Sequence, residues 1–236
     1  MHFNNLNKIF IIAELSANHG GSLDVAKETV RAAKRAGADA IKLQTYTADT
    51  ITLDVKNDNF KINHGTAWDG QYLYDLYKGA SLPWEWHKPI YDLAKEEGLV
   101  CFSSPFDKTA VDFLEDLNTP VYKIASFEIT DIPLIKYVAS KKKPIIISTG
   151  IATIEDIELA IKTCKEVGNN DITILKCTSA YPASPEDADL LTIPDIEKRF
   201  NVKAGLSDHT MGTSISLASV TLGACMIEKH FTLDKE

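Results

Sequence analysis

The sequence is short of several things, and each shortage removes a class of protein. It has four cysteines in 236 residues (Cys101, Cys164, Cys177 and Cys225), with no C-x-x-C spacing. Three of them sit inside apolar, strand-like runs, so the set reads as buried free thiols in a reducing cytosol rather than a disulfide framework or a zinc site. There is no long basic run, and the formal net charge is −8. A nucleic-acid surface needs clustered lysine and arginine to meet phosphates, so no nucleic-acid partner is expected. An acidic total still permits an anionic substrate, because a few lysines gathered in one pocket outweigh it locally. No apolar run approaches the roughly 20 residues of a membrane span. The run Ile9–Ala13 follows a polar opening, Met1–Lys8, and is too short for a signal peptide. A cytoplasmic protein without a membrane partner is therefore expected. No low-complexity linker or shift in composition divides the chain, and residues 1–236 read as one catalytic domain.

What the sequence does contain is an alternation of short β-branched runs with longer amphipathic segments. Strands are expected at Ile9–Glu14, Ala40–Gln44, Leu99–Ser103, Val121–Ala125, Pro144–Ser148, Ile172–Cys177, Lys203–Leu206 and Cys225–His230. Continuous apolar runs of this kind suit parallel strands buried on both faces. Helices fall between them. One covers Leu23–Ala36, with Ser22 as N-cap and Gly37 as stop, and one opens at Thr153, where Asp156 completes a capping box. Others cover Pro83–Glu97, Lys108–Asp116, Pro133–Ser140, Pro185–Phe200 and Thr213–Leu222, while Ala48–Trp68 is the one long, irregular, polar stretch. A loop of that length in a compact domain is often a lid or binding loop. Eight strands separated by helices point to a (β/α)₈ TIM barrel, whose usual size is about 250 residues. A doubly wound open sheet is the alternative, but no G-x-G-x-x-G follows the first strand to support its dinucleotide-binding form. The sequence stops at Glu236, just past the eighth strand and before any eighth helix, which reads as a fragment of a longer protein.

In such a barrel the active site lies at the C-terminal ends of the strands, and here nearly every strand ends in polar residues. In order they are Glu14; Lys42 and Gln44; Ser103 and Ser104; Lys123, Ser126 and Glu128; Ser148, Thr149 and Gly150; Lys176, Thr178, Ser179 and Tyr181; Ser207, Asp208 and His209; Glu228, Lys229 and His230. Each has an ordinary explanation taken singly. Serine and threonine cap helices, lysines snorkel, and a lone histidine is usually a hydrogen-bonded structural residue. The recurrence of the same rim position on eight strands favours a functional rim. Ser207-Asp208-His209 is not a hydrolase triad, since three sequence neighbours cannot hold one another through side-chain contacts. His209 and His230, at the ends of adjacent strands, either reach one divalent metal, leaving positions for water and substrate, or stand as structural residues. Lysines with serine hydroxyls and backbone amides make a cradle for phosphate or carboxylate.

The runs E-L-S-A-N-H-G-G, K-L-Q-T-Y, F-S-S-P-F, Y-K-I-A-S-F-E, S-T-G-I, K-C-T-S-A-Y-P, G-L-S-D-H-T and I-E-K-H-F-T, in that order, resemble the sialic acid synthase family over almost the whole chain. Its members make N-acetylneuraminate, legionaminate or pseudaminate. The E-L-S-A-N-H opening, the K-C-T-S-A-Y-P run and P-W-E-W-H are most like the pseudaminate branch. The resemblance implies a (β/α)₈ barrel followed by a small antifreeze-like domain, absent from this chain, and a domain-swapped homodimer in the full-length form. An acidic residue and a swapped arginine come from beyond the point where this sequence ends. It implies condensation of phosphoenolpyruvate with an amino-sugar aldehyde, here 2,4-diacetamido-2,4,6-trideoxy-altrose, with release of phosphate. Lys42, Lys123, Ser126, Ser148 and Ser207 match positions that hold phosphoenolpyruvate, and His209 and His230 match ligands of a divalent metal, usually Mn²⁺, with Mg²⁺ or Co²⁺ as alternatives. Glu14 matches the carboxylate near the reacting carbons, while Gln44, Glu128, Ser179 and Tyr181 match positions facing the sugar. Ser179 departs from the neuraminate synthases, which carry Asn there. Rival readings are an N-acetylneuraminate or legionaminate synthase, a Schiff-base aldolase with Lys176 or Lys123 as nucleophile, and a non-catalytic sugar-binding barrel.

Overall fold

The computed structural model describes residues 8–63, 65 and 68–234. The polar opening at residues 1–7 and part of the 48–68 stretch therefore lie outside the described residues. Each expected strand forms, within a residue or two of its expected bounds. In chain order the elements are β1 (Phe10–Glu14), α1 (Leu23–Arg35), β2 (Ala40–Thr45), α2 (Ala48–Ile51), α3 (Leu73–Ala80), α4 (Trp84–Glu96), β3 (Val100–Pro105), α5 (Lys108–Asp116), β4 (Tyr122–Ile124), α6 (Ile132–Ser140), β5 (Ile145–Ser148), α7 (Ile154–Glu166), β6 (Ile172–Cys177), α8 (Thr192–Phe200), β7 (Lys203–Asp208), α9 (Ser214–Thr221) and β8 (Met226–His230). All strand pairs are parallel, in sequence order, and β1 pairs with β8 from Phe10↔Met226 to Glu14↔His230, closing the barrel.

Local signals explain the helix starts. Ser22 accepts a hydrogen bond from Val25 N at 3.4 Å, as an N-cap should, and α1 then buries Ala26, Thr29, Val30 and Ala33, spaced along one helical stripe. Thr153 and Asp156 form the reciprocal capping box: Asp156 N donates to Thr153 Oγ1 at 3.2 Å and Thr153 N to Asp156 Oδ2 at 2.9 Å. Two segments differ from expectation. The helix expected over Pro185–Phe200 is broken into a short 3₁₀ turn, Pro185–Asp187, and α8, because Asp189 takes a left-handed φ of 42°. Pro194 then falls in the first turn of α8, where its missing N–H leaves no bond unmade. The polar stretch after β2 also contains α2 and a 3₁₀ turn at Asp58–Phe60, and α3 follows where no helix was expected. α3 is tied down by its tertiary partners, Lys56 Nζ to Asp75 at 2.9 Å and Tyr74 Oη to Asp49 at 3.0 Å, rather than by a strong local pattern.

Period-2 alternation along the strands builds the interior in layers. Phe10, Ile12, Ala40, Phe102, Val121, Ile146, Leu175 and Met226 form one buried apolar cluster inside the barrel. Residues of the opposite parity, such as Ile41, Leu43, Cys101, Tyr122, Ile124, Ile145 and Ile147, pack against the helices. Burial of each large side chain contributes roughly 1.5–3 kcal/mol. The apolar plug matters for function because it floors the barrel and leaves the next inward residues, toward the C-terminal ends, to line the mouth. All four cysteines are unpaired, as expected. Among the described residues no helix is long and apolar enough to cross a membrane.

Candidate active site

Continuing the inward parity by one step places Glu14 above Ile12, Lys42 above Ala40, Ser104 above Phe102, Lys123 above Val121, Ser148 above Ile146, Cys177 above Leu175 and Glu228 above Met226. Four of these are charged and almost wholly buried, with Glu14, Lys42, Lys123 and Glu228 exposed by 2, 3, 1 and 6%. Lys42 Nζ is in direct ion contact with Glu14 Oε2. It also lies 3.7 Å from Glu228 Oε1 and donates to Ser104 Oγ at 3.4 Å. Lys123 Nζ lies 3.8 Å from the same Glu228 oxygen and donates to Ser148 Oγ at 2.6 Å and to the Ile124 carbonyl at 3.1 Å. Ser207 Oγ donates to Glu228 Oε1 at 3.4 Å. Buried charges persist only when partnered, and the two lysines and two carboxylates partner one another. Glu228, which the sequence placed at a strand end without a role, is the hub of the group.

The balance is incomplete. Among the described residues Glu14 Oε1 and Glu228 Oε2 are buried without a hydrogen bond. Burial, with the nearby Glu228 charge, pushes the Glu14 carboxyl up to about 7 even though Lys42 pulls it down. Glu228 moves the other way, because Lys123 and Lys42 outweigh its burial. Burial lowers the Lys123 ammonium below its ordinary value, whereas for Lys42 the two carboxylates outweigh burial and raise it. The group thus contains an acid poised near neutrality beside two cationic donors.

Around this layer sit the hydroxyl residues. Gly150 N donates to Ser126 Oγ at 3.1 Å, and Ser126 is itself buried. A Cβ at position 150 would lie 2.0 Å from Ser179 Oγ and 2.8 Å from Ser126 Oγ, so glycine there lets both hydroxyls keep these positions where the loops after β4, β5 and β6 meet. Further out, Gln44, Glu128 and Ser179 are half-buried and Tyr181 is exposed. Glu128 Oε2 accepts no hydrogen bond among the described residues, and burial raises its carboxyl. Tyr77 of α3 lies near enough to Glu128 that the carboxylate adds to burial in raising its phenol. Its ring meets Tyr46 edge-on at 6.1 Å. The segment after β2 therefore leans over this side of the mouth.

His209 and His230 do come together, with ring centroids 5.3 Å apart, and Tyr181 stacks on His209 at 4.3 Å and meets His230 edge-on at 5.7 Å. His209 Nδ1 lies 2.8 Å from the Thr178 carbonyl, which can only accept, so Nδ1 carries a proton; burial pulls the imidazole down, but Cys177, this carbonyl and the Glu228 charge outweigh it and raise it above its ordinary value. Burial and the neighbouring His209 push His230 down to about 4, leaving a neutral imidazole at neutral pH. Cys177, which the sequence left among the structural thiols, also faces the mouth, with Sγ 3.8 Å from His209 Nδ1. Lys176 does not face it: its Nζ donates to Thr178 Oγ1 at 2.7 Å and approaches the Asp187 carbonyl at 3.4 Å. Asp208 and Lys229 likewise point away from the mouth. A cleft of about 400 Å³ at the opposite end of the barrel, with Lys165, Glu197 and Lys203 in its lining, has no such inward charged layer.

Residues 29–236 match the NeuB family model. The chain belongs to the NeuB family. Its NeuB relatives include the pseudaminic acid synthase of Campylobacter jejuni, 50% identical over 99% of this chain and 68% of that protein. The pseudaminic acid synthase of Helicobacter pylori is 53% identical over 95% of this chain and 66% of that one. This NeuB chain thus spans about two thirds of the length of these relatives. Among solved structures, the N-acetylneuraminic acid synthetase of Leptospira borgpetersenii superimposes with a TM-score of 0.86 at 31% identity, covering 97% of this chain and 74% of that one.

Proposed function

We propose that this NeuB chain condenses phosphoenolpyruvate with an open-chain 2,4-diacetamido sugar to give a nonulosonic acid, pseudaminic acid, with release of phosphate; the 50% identity to pseudaminic acid synthases supports the sugar class. The observation that carries the reaction class is the buried mouth group, in which two lysines are shared by two carboxylates. An incoming trianion takes Lys42 and Lys123 from Glu14 and Glu228, and Ser126, Ser148, Ser207 and the Gly150 amide supply the remaining donors to its carboxylate and phosphate. Lysines already buried and aimed need no reorganisation when charge develops. Carbon 3 of phosphoenolpyruvate attacks the sugar aldehyde, water adds at carbon 2, and the tetrahedral adduct expels phosphate. Glu14, poised near 7, can take or return the proton that these steps move. Gln44, Glu128, Ser179 and Tyr181 line the outer ring and orient the sugar.

The donor set fits a divalent cation, Mn²⁺ in this proposal. Two imidazoles converge, and because the Thr178 carbonyl engages Nδ1 of His209, Nε2 is left as its ligand atom once the ring is deprotonated; among the described residues no third His, Cys, Asp or Glu joins them, so the other positions would fall to water and substrate. His209 and His230 would hold it, and when bound it supplies Lewis-acid polarisation of the aldehyde. In the length of its relatives the protein works as a homodimer, and its free thiols suit the cytoplasm.

The test uses the full gene product with phosphoenolpyruvate and equal amounts of the 6-deoxy-2,4-diacetamido hexose and N-acetylmannosamine. Phosphate release with pseudaminic acid as the dominant product by mass spectrometry is expected. Dominant N-acetylneuraminate refutes the sugar assignment alone, whereas borohydride trapping of a pyruvate imine on Lys123 refutes the condensation and favours the aldolase.

A further inference from the structure

The alternation that sends Ser207, His209, Glu228 and His230 inward sends Asp208 and Lys229 outward. These two are direct cross-strand partners on β7 and β8. Lys229 Nζ lies 2.8 Å from Asp208 Oδ2, with the aspartate side chain 1% exposed and that of the lysine 30% exposed. Every position on the carboxylate is used. Oδ1 accepts from Thr210 N at 2.9 Å and Thr210 Oγ1 at 2.7 Å, and Oδ2 accepts from Ser216 Oγ, on α9, at 2.5 Å as well as from Lys229. Lys229 also donates to the Thr210 carbonyl at 2.6 Å.

The consequence for the histidines follows from chain connectivity. Residues on both sides of His209 are pinned, 208 by the lysine and 210 by three hydrogen bonds, and the carbonyl of His209 accepts from Ala183 N at 2.9 Å. The residue before His230 is the other half of the same ion pair. One buried contact on the outer wall thus locks together the two strand ends whose next side chains are the two imidazoles. A site with two protein donors binds an ion tightly only if their separation is fixed beforehand, since any spread in it is lost as entropy on binding.

We propose that Asp208 and Lys229 form a clasp that sets the spacing of His209 and His230 and so acts as a pair of positioning residues for a divalent cation. This rests on the assignment of those histidines as the cation's ligands.

The experiment is a titration of the full-length protein with Mn²⁺, followed by the electron paramagnetic resonance of the free ion, beside thermal unfolding of each variant without metal. Lys229→Met and Asp208→Asn are expected to weaken Mn²⁺ binding by about tenfold or more, in the range seen when a residue supporting a metal ligand is lost. Lys229→Arg, which keeps the charge and the reach, should restore binding. Asp112→Asn is the control: it breaks another lysine–aspartate pair, Lys141 to Asp112 at 3.1 Å, on the helical layer, and should leave Mn²⁺ affinity unchanged. A Lys229→Met protein that melts earlier yet binds Mn²⁺ as tightly as the wild type overturns the clasp. If Lys229→Met does not fold, Ser216→Ala removes one donor from the same carboxylate and is expected to weaken binding about threefold; unchanged affinity there overturns the clasp equally. A wild-type protein that binds no Mn²⁺ refutes the ligand assignment and the clasp with it, whereas wild-type binding that no clasp variant alters refutes the clasp alone.

Discussion

His87 should make this barrel lose stability as the pH falls from neutrality toward 4, by an amount the structure allows to be worked out. The imidazole is fully buried in α4. Its Nδ1 faces the Pro83 carbonyl at 3.2 Å and so carries the proton, while Nε2 lies 2.8 Å from Thr45 Oγ1, which itself meets Ser103 Oγ at 2.7 Å. Protonation of Nε2 would put a charge where no anion waits and would take the acceptor away from Thr45. Burial accordingly pushes the imidazole from 6.5 down to about 4, despite the Pro83 carbonyl. The folded-state value is the lower one, so the unfolded chain binds the extra proton between these limits and stability rises with pH there. It is complete above about 6.5 and is lost as pH falls through the window to 4. With these two values the linkage integral makes the loss between pH 7 and pH 5 about 2 kcal/mol. Urea unfolding of the wild type and of His87→Gln, at pH 7 and pH 5, measures it. The variant is less stable at pH 7, having lost the imidazole's packing and bonds, but its pH dependence should be shallower than the wild type's by about 2 kcal/mol over that interval. Identical pH dependence in the two proteins would refute the reasoning.

Two further outcomes test the mouth. Gly150→Ala should fold, because the atoms nearest the new Cβ, Ser179 Oγ at 2.0 Å and Ser126 Oγ at 2.8 Å, end flexible side chains, but it must displace both hydroxyls. The sugar KM should rise about fivefold for one lost hydrogen bond, and steady-state kinetics with an unchanged KM would show that Ser179 does not meet the sugar. Lys123→Ala should weaken phosphoenolpyruvate binding by roughly 10- to 100-fold, the range for a lost charge-assisted hydrogen bond, and calorimetry returning the wild-type Kd would remove Lys123 from the anion site.

Much of the barrel was legible in the sequence because its signals are short in range. A β-branched run of five or six residues declares a buried parallel strand, and Thr153 with Asp156 declares a helix start over three residues. Strand ends follow from the runs, and with them the polar residues that edge the mouth. α3 was not legible, since its positions are held by partners such as Lys56 and Asp49 that lie 19 and 25 residues away. The break at Asp189 was hidden for a different reason: proline and acidic residues there fit a helix start as well as they fit a turn.

The sequence by itself determined which residues of one strand share a face, as Lys42 does with Gln44 and Glu228 with His230, but it left Asp208 and Lys229 among the rim residues. Parity is a property of a single strand and needs no partner to be read. Which face of each strand turns inward, and which inward groups touch, was decided only when the barrel closed. Glu14 meets Lys42 because β1 and β2 pair with Glu14 opposite Lys42, and a slip of one residue would have turned the lysine outward. Glu228 lies between two lysines because closure returns β8 to β1. The ionisation of Glu14 likewise belongs to the assembled fold, since burial and the charges of three other strands set it, and those charges come from residues 28, 109 and 214 positions away along the chain.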